Sequence, residues 1–257
     1  MADHSSAPPR VVAIMPARNS ARTLEATVRA IPPGLVDQII LVDNASRDDT
    51  VAIAERLGLT VVRHPVDRGY GGSLKTCLRT ALAAGADYIV ELHPDNQYDP
   101  AFLPALLDKA RADRAVMVIA SRFLPSRKAL DGGMPWWKFV SNRFLTLLNG
   151  LMLGVRLSEF HSGFRVYDAA WIRSIPFETY SNDFKLSFQL IGQAAEDGRR
   201  LSEIPAFCRY FPEASQNPLR GSLIYGWGTL SESFRVLLSR SGLRTRPART
   251  PRGGTSS

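Results

Sequence analysis

The chain has 257 residues, a hydrophobic content of 45% and a formal net charge of +8 at pH 7, with a sequence pI near 9.9. The length and composition are typical of a soluble globular protein with one large or two small domains. The excess of basic residues suggests an anionic partner such as a nucleotide, a nucleic acid or an anionic membrane surface. Two distant cysteines, Cys77 and Cys208, argue against a disulfide framework or a zinc site, and no apolar run reaches the roughly 20 residues that span a bilayer.

The two ends of the chain differ in composition from the region between them. Residues 1–10 are rich in Ser, Pro and Ala without an apolar stretch, which predicts a disordered leader and no signal peptide. Residues 241–257 are predicted to be a disordered basic tail, because four arginines and no acid lie between Arg244 and Arg252. The arginines lack interleaved aromatic residues, so we expect no nucleic acid as a partner.

Short apolar runs alternate with helical patterns in the first half of the chain. The runs predict strands at Val11–Met15, Gln38–Val42, Thr60–Arg63, Tyr88–Leu92 and Ala115–Ala120. The helical patterns lie at Thr23–Ile31, Asp49–Leu57, Ser73–Ala84 and Phe102–Ala112. This alternation predicts an α/β fold, Rossmann-like, with a mainly parallel central sheet.

The second half is less regular. Helices are predicted at Pro135–Val155, Leu186–Asp197 and Ser222–Ser239, with strand-like segments at Gly163–Tyr167 and Leu201–Arg209. The first and last of these helices are amphipathic. The broad apolar stripe of Pro135–Val155 fits two interpretations, an interfacial helix in lipid headgroups or an ordinary core helix.

A cluster of polar residues follows the fourth predicted strand, between Pro94 and Pro100. In a parallel α/β sheet such residues lie at the carboxyl edge, where ligands bind. Asp95 with Gln97 or Asp99 could offer oxygen ligands to Mg²⁺ or Mn²⁺, and His93 a nitrogen ligand. The alternative is a proline-bounded turn in which the acids stabilise the backbone.

The ends of the first three strands carry further candidate groups. No glycine lies between Val11 and Ile31, which excludes a dinucleotide-binding glycine motif after the first strand. Asp43 ends the second strand, where it could accept hydrogen bonds from a base or ribose or act as a cap. Three glycines in Arg68–Lys75 precede a predicted helix and could let backbone amides approach a phosphate.

Taken in order, these motifs resemble those of the family 2 glycosyltransferases with the GT-A fold, particularly the polyprenyl-phosphate (dolichyl-phosphate) mannosyl- and glucosyltransferase branch. The resemblance covers roughly residues 11–240 and depends on the order of several motifs. They are Pro16–Asn19, Asp43–Thr50, Arg68–Lys75, His93–Pro100, Ser121–Phe123, Glu159–Arg165 and Arg209–Ser215. In two places the chain departs from the family pattern, with His93 and Glu159 each standing where the family has Asp.

The resemblance implies one GT-A domain over residues 11–240, with a nucleotide-sugar-binding half at 11–123 and an acceptor half at 124–240. The implied nucleotide-binding residues are Pro16, Ala17, Arg18, Asn19, Asp43, Asn44, Gly69 and Lys75. The implied metal ligands for Mn²⁺ or Mg²⁺ are Asp95, Gln97 and His93. The implied catalytic residues are Asp95, Arg122 and Asp183, and the implied acceptor-binding residues are Arg143, Glu159, Ser162, Arg165 and Arg209.

The activity implied is inverting transfer of a sugar from GDP-mannose or a UDP-hexose to a polyprenyl phosphate. Because that acceptor is already anionic, it needs cationic guidance and no strong base. The alternatives are transfer to a glycan hydroxyl, for which Asp183 could be the base, and an inactive homologue, suggested by His93. We expect peripheral attachment to the cytoplasmic face of the membrane, through the amphipathic helices and the basic tail.

Overall fold

The computed structural model describes residues 8–124, 134–208 and 219–241. Seven strands form one sheet, with bounds at β1 Val11–Ala17, β2 Gln38–Asn44, β3 Thr60–His64, β4 Tyr88–Glu91, β5 Met117–Ser121, β6 Arg165–Asp168 and β7 Leu201–Pro205. The helices are α1 Leu24–Arg29, α2 Thr50–Arg56, α3 Gly69–Ala83, α4 Leu103–Asp113, α5 Trp136–Leu153, α6 Ala169–Ser174, α7 Lys185–Glu196 and α8 Leu219–Arg240.

The strand order across the sheet is β3-β2-β1-β4-β6-β5-β7. Every pairing is parallel except those of β6, which runs antiparallel to both β4 and β5. The predicted α/β class and mainly parallel sheet are therefore confirmed. The carboxyl ends of β1, β2, β3 and β4 all reach the same edge, which brings the polar residues after these strands together.

Apolar residues cover both faces of the sheet. Along β1, Val12 and Ile14 pack with α3 and α7 on one face, while Ala13 and Met15 pack with α1 and α4 on the other. Burial on both sides explains why the strands read as continuous apolar runs.

Two helices differ from the sequence prediction. Helix α3 begins at Gly69, one turn before the predicted start at Ser73, so the glycines belong to its first turn. Helix α6 was not predicted, and the Asp168 side chain caps it by accepting a hydrogen bond from the Trp171 amide at 2.7 Å.

Helices α5 and α8 pack against each other through polar side chains. Asn149 of α5 donates to the hydroxyl of Thr229 at 3.3 Å and accepts a hydrogen bond from Ser233 at 2.9 Å, and all three residues are completely buried. We call this contact the polar seam. Beside it, both helices turn large apolar side chains outward.

The outward side of these helices, which we call the α5–α8 face, is strongly apolar. Trp136 is 73% exposed and Trp227 is 76% exposed. The other large exposed hydrophobic residues of this face are Trp137, Val140, Phe144, Leu147, Leu151, Phe234 and Leu237. The interpretation of α5 as an ordinary core helix is therefore wrong.

Within the described ranges, no helix combines the length and the apolar character needed to cross a bilayer.

Candidate active site

The carboxyl ends of β1, β2 and β3 enclose an open cleft of about 670 Å³. This volume lies in the range of small-molecule sites. Its lining residues are Arg18, Asp43, Ala45, Ser46, Arg47, Arg63, His64, Pro65, Val66 and Asp67. Three arginines among them favour an anionic ligand.

Asp43 is the buried acid of this cleft. One carboxylate oxygen, Oδ2, accepts a hydrogen bond from the Ser46 amide at 3.3 Å. The other oxygen, Oδ1, is buried and has no hydrogen-bond partner among the described residues. A buried polar atom left unsatisfied is costly, so a donor group of a ligand in the cleft would relieve that cost.

Asn44 organises the loop that forms one wall of the cleft. Its Nδ2 donates to Asp67 at 2.6 Å, and its Oδ1 accepts a hydrogen bond from the Arg68 amide at 2.9 Å. Asp67 also forms an ion pair with Arg18. The Gly69 amide, 2.8 Å from Asp67, is the main cause of a lowered pKa for this carboxyl, with further contributions from Asn44 and Arg18. Arg18 and Asn44 are thus held at the rim of the cleft.

Asn19 links the loop after β1 to the loop after β2. It adopts a left-handed backbone conformation, with φ of 53°. Its amide donates to the hydroxyl of Ser46 at 2.9 Å, and its side-chain oxygen accepts a hydrogen bond from the Arg47 amide at 2.8 Å. Pro16 and Ala17 are the last residues of β1 and lie level with the end of β2 in the parallel register.

At the end of β4, His93 faces a buried carboxylate. Its Nε2 lies 3.4 Å from Oε1 of Glu91 and 3.2 Å from the hydroxyl of Tyr70. Glu91 is completely buried and accepts hydrogen bonds from the hydroxyls of Tyr70 and Tyr167. Burial opposes protonation of His93, but the hydrogen bond and charge of Glu91 outweigh it and raise the pKa of the imidazole. This nitrogen of His93 is therefore engaged by Glu91.

Asp95 and Gln97 form a tight turn beyond His93. Oδ1 of Asp95 accepts a hydrogen bond from the Gln97 amide at 3.1 Å, and Asn96 between them has a left-handed φ of 55°. The turn interpretation is thus correct for the backbone. No cluster of three or more His, Cys, Asp or Glu residues suited to a metal occurs among the described residues.

Arg122, at the end of β5, lies against Glu159. Its amide donates to Oε2 of Glu159 at 2.7 Å and its Nε donates to Oε1 at 2.7 Å. Glu159 is completely buried, so it holds Arg122 and does not present a free carboxylate to an acceptor. Glu203 of β7 supports this arrangement by accepting hydrogen bonds from the amide of Ser158 at 2.9 and 2.8 Å.

Arg165 and Ser162, both predicted to bind the acceptor, lie in the interior. Arg165 is 1% exposed and donates to the carbonyl oxygens of Ser162 and Ser187, each at 2.7 Å, and of Phe160 at 3.2 Å. The hydroxyl of Ser162 accepts a hydrogen bond from the Phe164 amide at 3.3 Å. In this arrangement both residues shape the loop before β6 and neither is positioned on the surface, contrary to the sequence-based expectation.

Lys75 and the glycines of α3 contact the loop that precedes α7. The Nζ of Lys75 donates to the carbonyl of Tyr180 and to Oδ1 of Asn182, the latter at 2.9 Å. A Cβ at Gly71 would lie 2.7 Å from the carbonyl carbon of Asn182, and one at Gly69 would clash with its oxygen. The glycines therefore make room for residues 181–183, which cover the start of α3.

The remaining acceptor-side residues are more accessible. Asp183 is exposed, and its Oδ1 accepts a hydrogen bond at 2.8 Å from the backbone amide that opens α7. Arg143 is also exposed, donates to the carbonyl of Ser158 at 3.2 Å and lies 5.9 Å from the ring centre of Phe123. Arg209, predicted to bind the acceptor, lies outside the described residues.

The sequence reasoning missed Glu91, Tyr70 and Tyr167. The available indication was a carboxylate inside the apolar run Tyr88–Leu92, since a charged residue in a buried strand requires partners.

Solved structures share this architecture, which is the GT-A fold. Glucosyl-3-phosphoglycerate synthase from Mycobacterium tuberculosis in complex with UDP gives a TM-score of 0.66 at 22% identity, covering 91% of this chain and 80% of that chain. The same enzyme in complex with Mn²⁺ and UDP-glucose gives 0.67 at 22% identity, covering 91% and 79%.

Residues 12–175 match the family described as Glycosyl transferase family 2, and the chain belongs to this family. An undecaprenyl-phosphate mannosyltransferase from Micrococcus luteus is 28% identical over 203 residues, 76% of this chain and 82% of that protein. A polyprenol monophosphomannose synthase from Mycolicibacterium smegmatis is 25% identical over 204 residues, 76% of each chain. A UDP-N-acetylglucosamine–dolichyl-phosphate N-acetylglucosaminyltransferase from Methanococcus voltae is 22% identical over 249 residues, 89% of this chain and 95% of that protein. These relatives confirm the resemblance to the polyprenyl-phosphate branch.

Proposed function

We propose that this chain transfers a sugar, with inversion, from a nucleotide-diphosphate sugar such as GDP-mannose or a UDP-hexose to a polyprenyl phosphate. The observation that carries the donor part is Asp43, whose buried Oδ1 has no hydrogen-bond partner among the described residues. A base or ribose supplies the N–H or O–H donor that this oxygen requires. The names of the family relatives support the lipid-phosphate acceptor.

The nucleotide would occupy the cleft at the ends of β1, β2 and β3. Its base or ribose would meet Asp43, and Arg18 at the rim would face its phosphates. Asn19 and Asn44 would hold the loops after β1 and β2 in place. Pro16 and Ala17 would contribute by ending β1 at the same level as Asp43.

The donor set at the end of β4 fits a hard divalent cation. Asp95 provides a carboxylate and Gln97 an amide oxygen, and Mg²⁺ is commonly bound by one or two carboxylates together with substrate phosphates and water. His93 would complete the set only by turning away from Glu91, or through its other ring nitrogen. When bound, Mn²⁺ or Mg²⁺ would neutralise negative charge on the diphosphate.

The transfer itself replaces one bond to the anomeric carbon by another. A phosphate oxygen of the acceptor attacks the anomeric carbon from the face opposite the nucleoside diphosphate, whose bond to the sugar breaks as its oxygen takes up the electron pair. Arg122 and Arg143 would contribute positive potential on the acceptor side. Because Glu159 fixes Arg122 in position, little reorganisation would be needed during the reaction.

The α5–α8 face supports attachment to the cytoplasmic surface of a membrane. Its tryptophans, Trp136, Trp137 and Trp227, suit the headgroup region, and Arg143 and Arg156 are exposed on or beside α5. Burial of several such side chains in the bilayer would add on the order of 1.5–3 kcal/mol for each one fully buried.

A second candidate is transfer to a sugar or small-molecule hydroxyl. It is favoured by the exposed carboxylate of Asp183, which could accept the proton of a hydroxyl nucleophile. A phosphate acceptor carries no such proton, so the two candidates differ in their dependence on this residue.

The test is incubation of the purified protein with UDP- and GDP-sugars and a polyprenyl phosphate, with Mn²⁺, with Mg²⁺ or with EDTA. We expect a glycosylated lipid phosphate with one donor class, loss of product with EDTA, and a decrease of kcat by about 10²–10³ for Asp95→Ala. Asp108→Ala, which removes an exposed acid from α4, is the matched control. Product formed only from hydroxyl acceptors would contradict the proposal and favour the second candidate.

A further inference from the structure

Phe184 is an aromatic residue left 42% exposed immediately before α7. By contrast, Phe188, one turn further along the chain, is completely buried. The Phe184 ring stacks on Tyr70, with centroids 4.6 Å apart and planes inclined by 17°. Because stacking holds the ring in place, its outer face is an apolar surface at a defined position.

Tyr70 connects this stack to the edge of the sheet at β4. The hydroxyl of Tyr70 donates to Glu91 and lies 3.2 Å from Nε2 of His93. Ser187 of α7 donates to the same hydroxyl at 3.3 Å. Phe184 is thus separated by a single ring from the residues that precede the Asp95 turn.

The chain next to Phe184 contacts α8. The Cδ of Lys185, the residue after Phe184, lies 3.6 Å from the position that a Cβ at Gly228 would occupy. Trp227, adjacent to Gly228, is among the most exposed residues of the α5–α8 face. Phe184 is therefore one residue away from a contact with α8, and its stacking partner Tyr70 reaches the end of β4.

The geometry points to Phe184, supported by Tyr70, as a subsite for the isoprene units next to the phosphate of the lipid acceptor. Such a molecule is anionic at one end and apolar along its chain. Its phosphate must reach the donor sugar, while its first isoprene units need an apolar surface outside the bilayer. This inference rests on the proposed function and names the residues that recognise the acceptor chain.

The test uses farnesyl phosphate, a soluble acceptor with three isoprene units, in the absence of vesicles so that membrane attachment makes no contribution. Phe184→Ala is expected to raise the KM for farnesyl phosphate about tenfold, which corresponds to about 1.4 kcal/mol. The KM for the sugar nucleotide is expected to stay unchanged. Phe184→Leu, which keeps an apolar side chain, should recover most of the affinity, whereas Phe184→Gln should not.

Leu57→Ala is the matched control, because Leu57 is a half-buried apolar residue at the end of α2 and packs on the opposite face of the sheet from Tyr70. It should leave both KM values unchanged. An unchanged KM for farnesyl phosphate in both Phe184→Ala and Phe184→Gln would overturn the subsite and leave the proposed function standing. Failure of the wild-type protein to glycosylate any prenyl phosphate would overturn the proposed function and the subsite with it.

Discussion

Arg122 and Glu159 form a buried ion pair in which the carboxylate also accepts the backbone amide of the arginine, at 2.7 Å. The pair joins the end of β5 to the loop before β6, 37 residues apart. A cation that is fixed in this way can act on a developing negative charge without moving.

Removal of the carboxylate should therefore affect both stability and rate. Glu159→Gln leaves a largely buried guanidinium, only 12% exposed, without its counter-charge, and we expect a loss of about 3–5 kcal/mol in the free energy of unfolding. Denaturant titration measures this loss, and a fall in kcat should accompany it. Glu178→Gln, in the exposed pair with Arg79, is the matched control and should cost at most about 1 kcal/mol. Equal losses in the two variants would show that the Glu159 pair has no special role.

Replacement of Asp43 should weaken donor binding selectively. A hydrogen bond to a charged group contributes about 1.5–3 kcal/mol, so Asp43→Ala is expected to raise the Kd for UDP or GDP by about 10- to 100-fold. Isothermal titration calorimetry measures that constant. Asp49→Ala removes an exposed acid at the same edge that makes no capping hydrogen bond, and it should bind as the wild type does. Unaltered binding by Asp43→Ala would place the nucleotide elsewhere.

A side chain at Gly71 should disrupt the contact between α3 and the loop that precedes α7. Since a Cβ there would lie 2.7 Å from the carbonyl carbon of Asn182, backbone must move, and we expect Gly71→Ala to cost about 2–3 kcal/mol. Gly228→Ala is the control, because a Cβ there would lie 3.6 Å from the Cδ of Lys185, an ordinary van der Waals distance, and helix propensity favours alanine by about 1 kcal/mol. Thermal unfolding of both variants decides the matter, and a Tm for Gly71→Ala at or above that of the wild type would contradict this packing.

His161 should make stability depend on pH. Burial, aided by the positive charges of Arg122 and Arg165, lowers the pKa of His161 to about 3 from its ordinary 6.5. The folded state therefore keeps His161 neutral, and its contribution to stability is complete above pH 6.5 and is lost as the pH falls below that value. From pH 7 to pH 5 the loss should be about 1–2 kcal/mol.

The comparison is between the wild type and His161→Asn, in chemical denaturation at pH 7 and pH 5. The other histidines titrate in both proteins, so the difference in slope isolates His161. Parallel pH profiles would show that this histidine is protonated without cost in the folded protein.

The α5–α8 face should control membrane binding. Phe144→Ser combined with Leu147→Ser removes two exposed apolar side chains from α5, and we expect at least a tenfold loss of partitioning into vesicles containing anionic lipid. Co-flotation with vesicles measures the bound fraction. Val66→Ser changes an exposed apolar residue that lines the cleft at the ends of β1, β2 and β3, and it should bind as the wild type does. If the wild type, the double variant and Val66→Ser all fail to bind vesicles, the α5–α8 face does not bind membranes.

The sheet was largely predictable because its strands are buried on both sides and read as apolar runs. The direction of each strand and the outward or inward placement of each helix face were harder to predict. The reversed direction of β6 follows from its place between β4 and β5, which no local pattern reveals. Likewise, the stripe along α5 showed an apolar face without indicating whether the core or the exterior receives it, since an amphipathic pattern is the same in both cases.

For the candidate site, the sequence predicted that Asp43 and Asp95 lie at one edge of the sheet, and the structure places Asp43 at the end of β2 and Asp95 beyond β4. The sequence did not indicate which charged side chains are hydrogen-bonded to other residues of the protein. Lys75 is engaged by Asn182, 107 residues away, and Glu91 accepts from Tyr167, 76 residues away. Such pairings depend on tertiary contacts and leave no periodicity in the sequence.

The polar seam between α5 and α8 has a mechanical consequence. The apolar side chains that point outward do not hold the two helices together, whereas the hydrogen bonds among Asn149, Thr229 and Ser233 join them. The two helices are therefore already assembled before anything covers their outer surface. A lipid surface would meet a preformed platform, and docking would require neither the unfolding of a helix nor the separation of the pair.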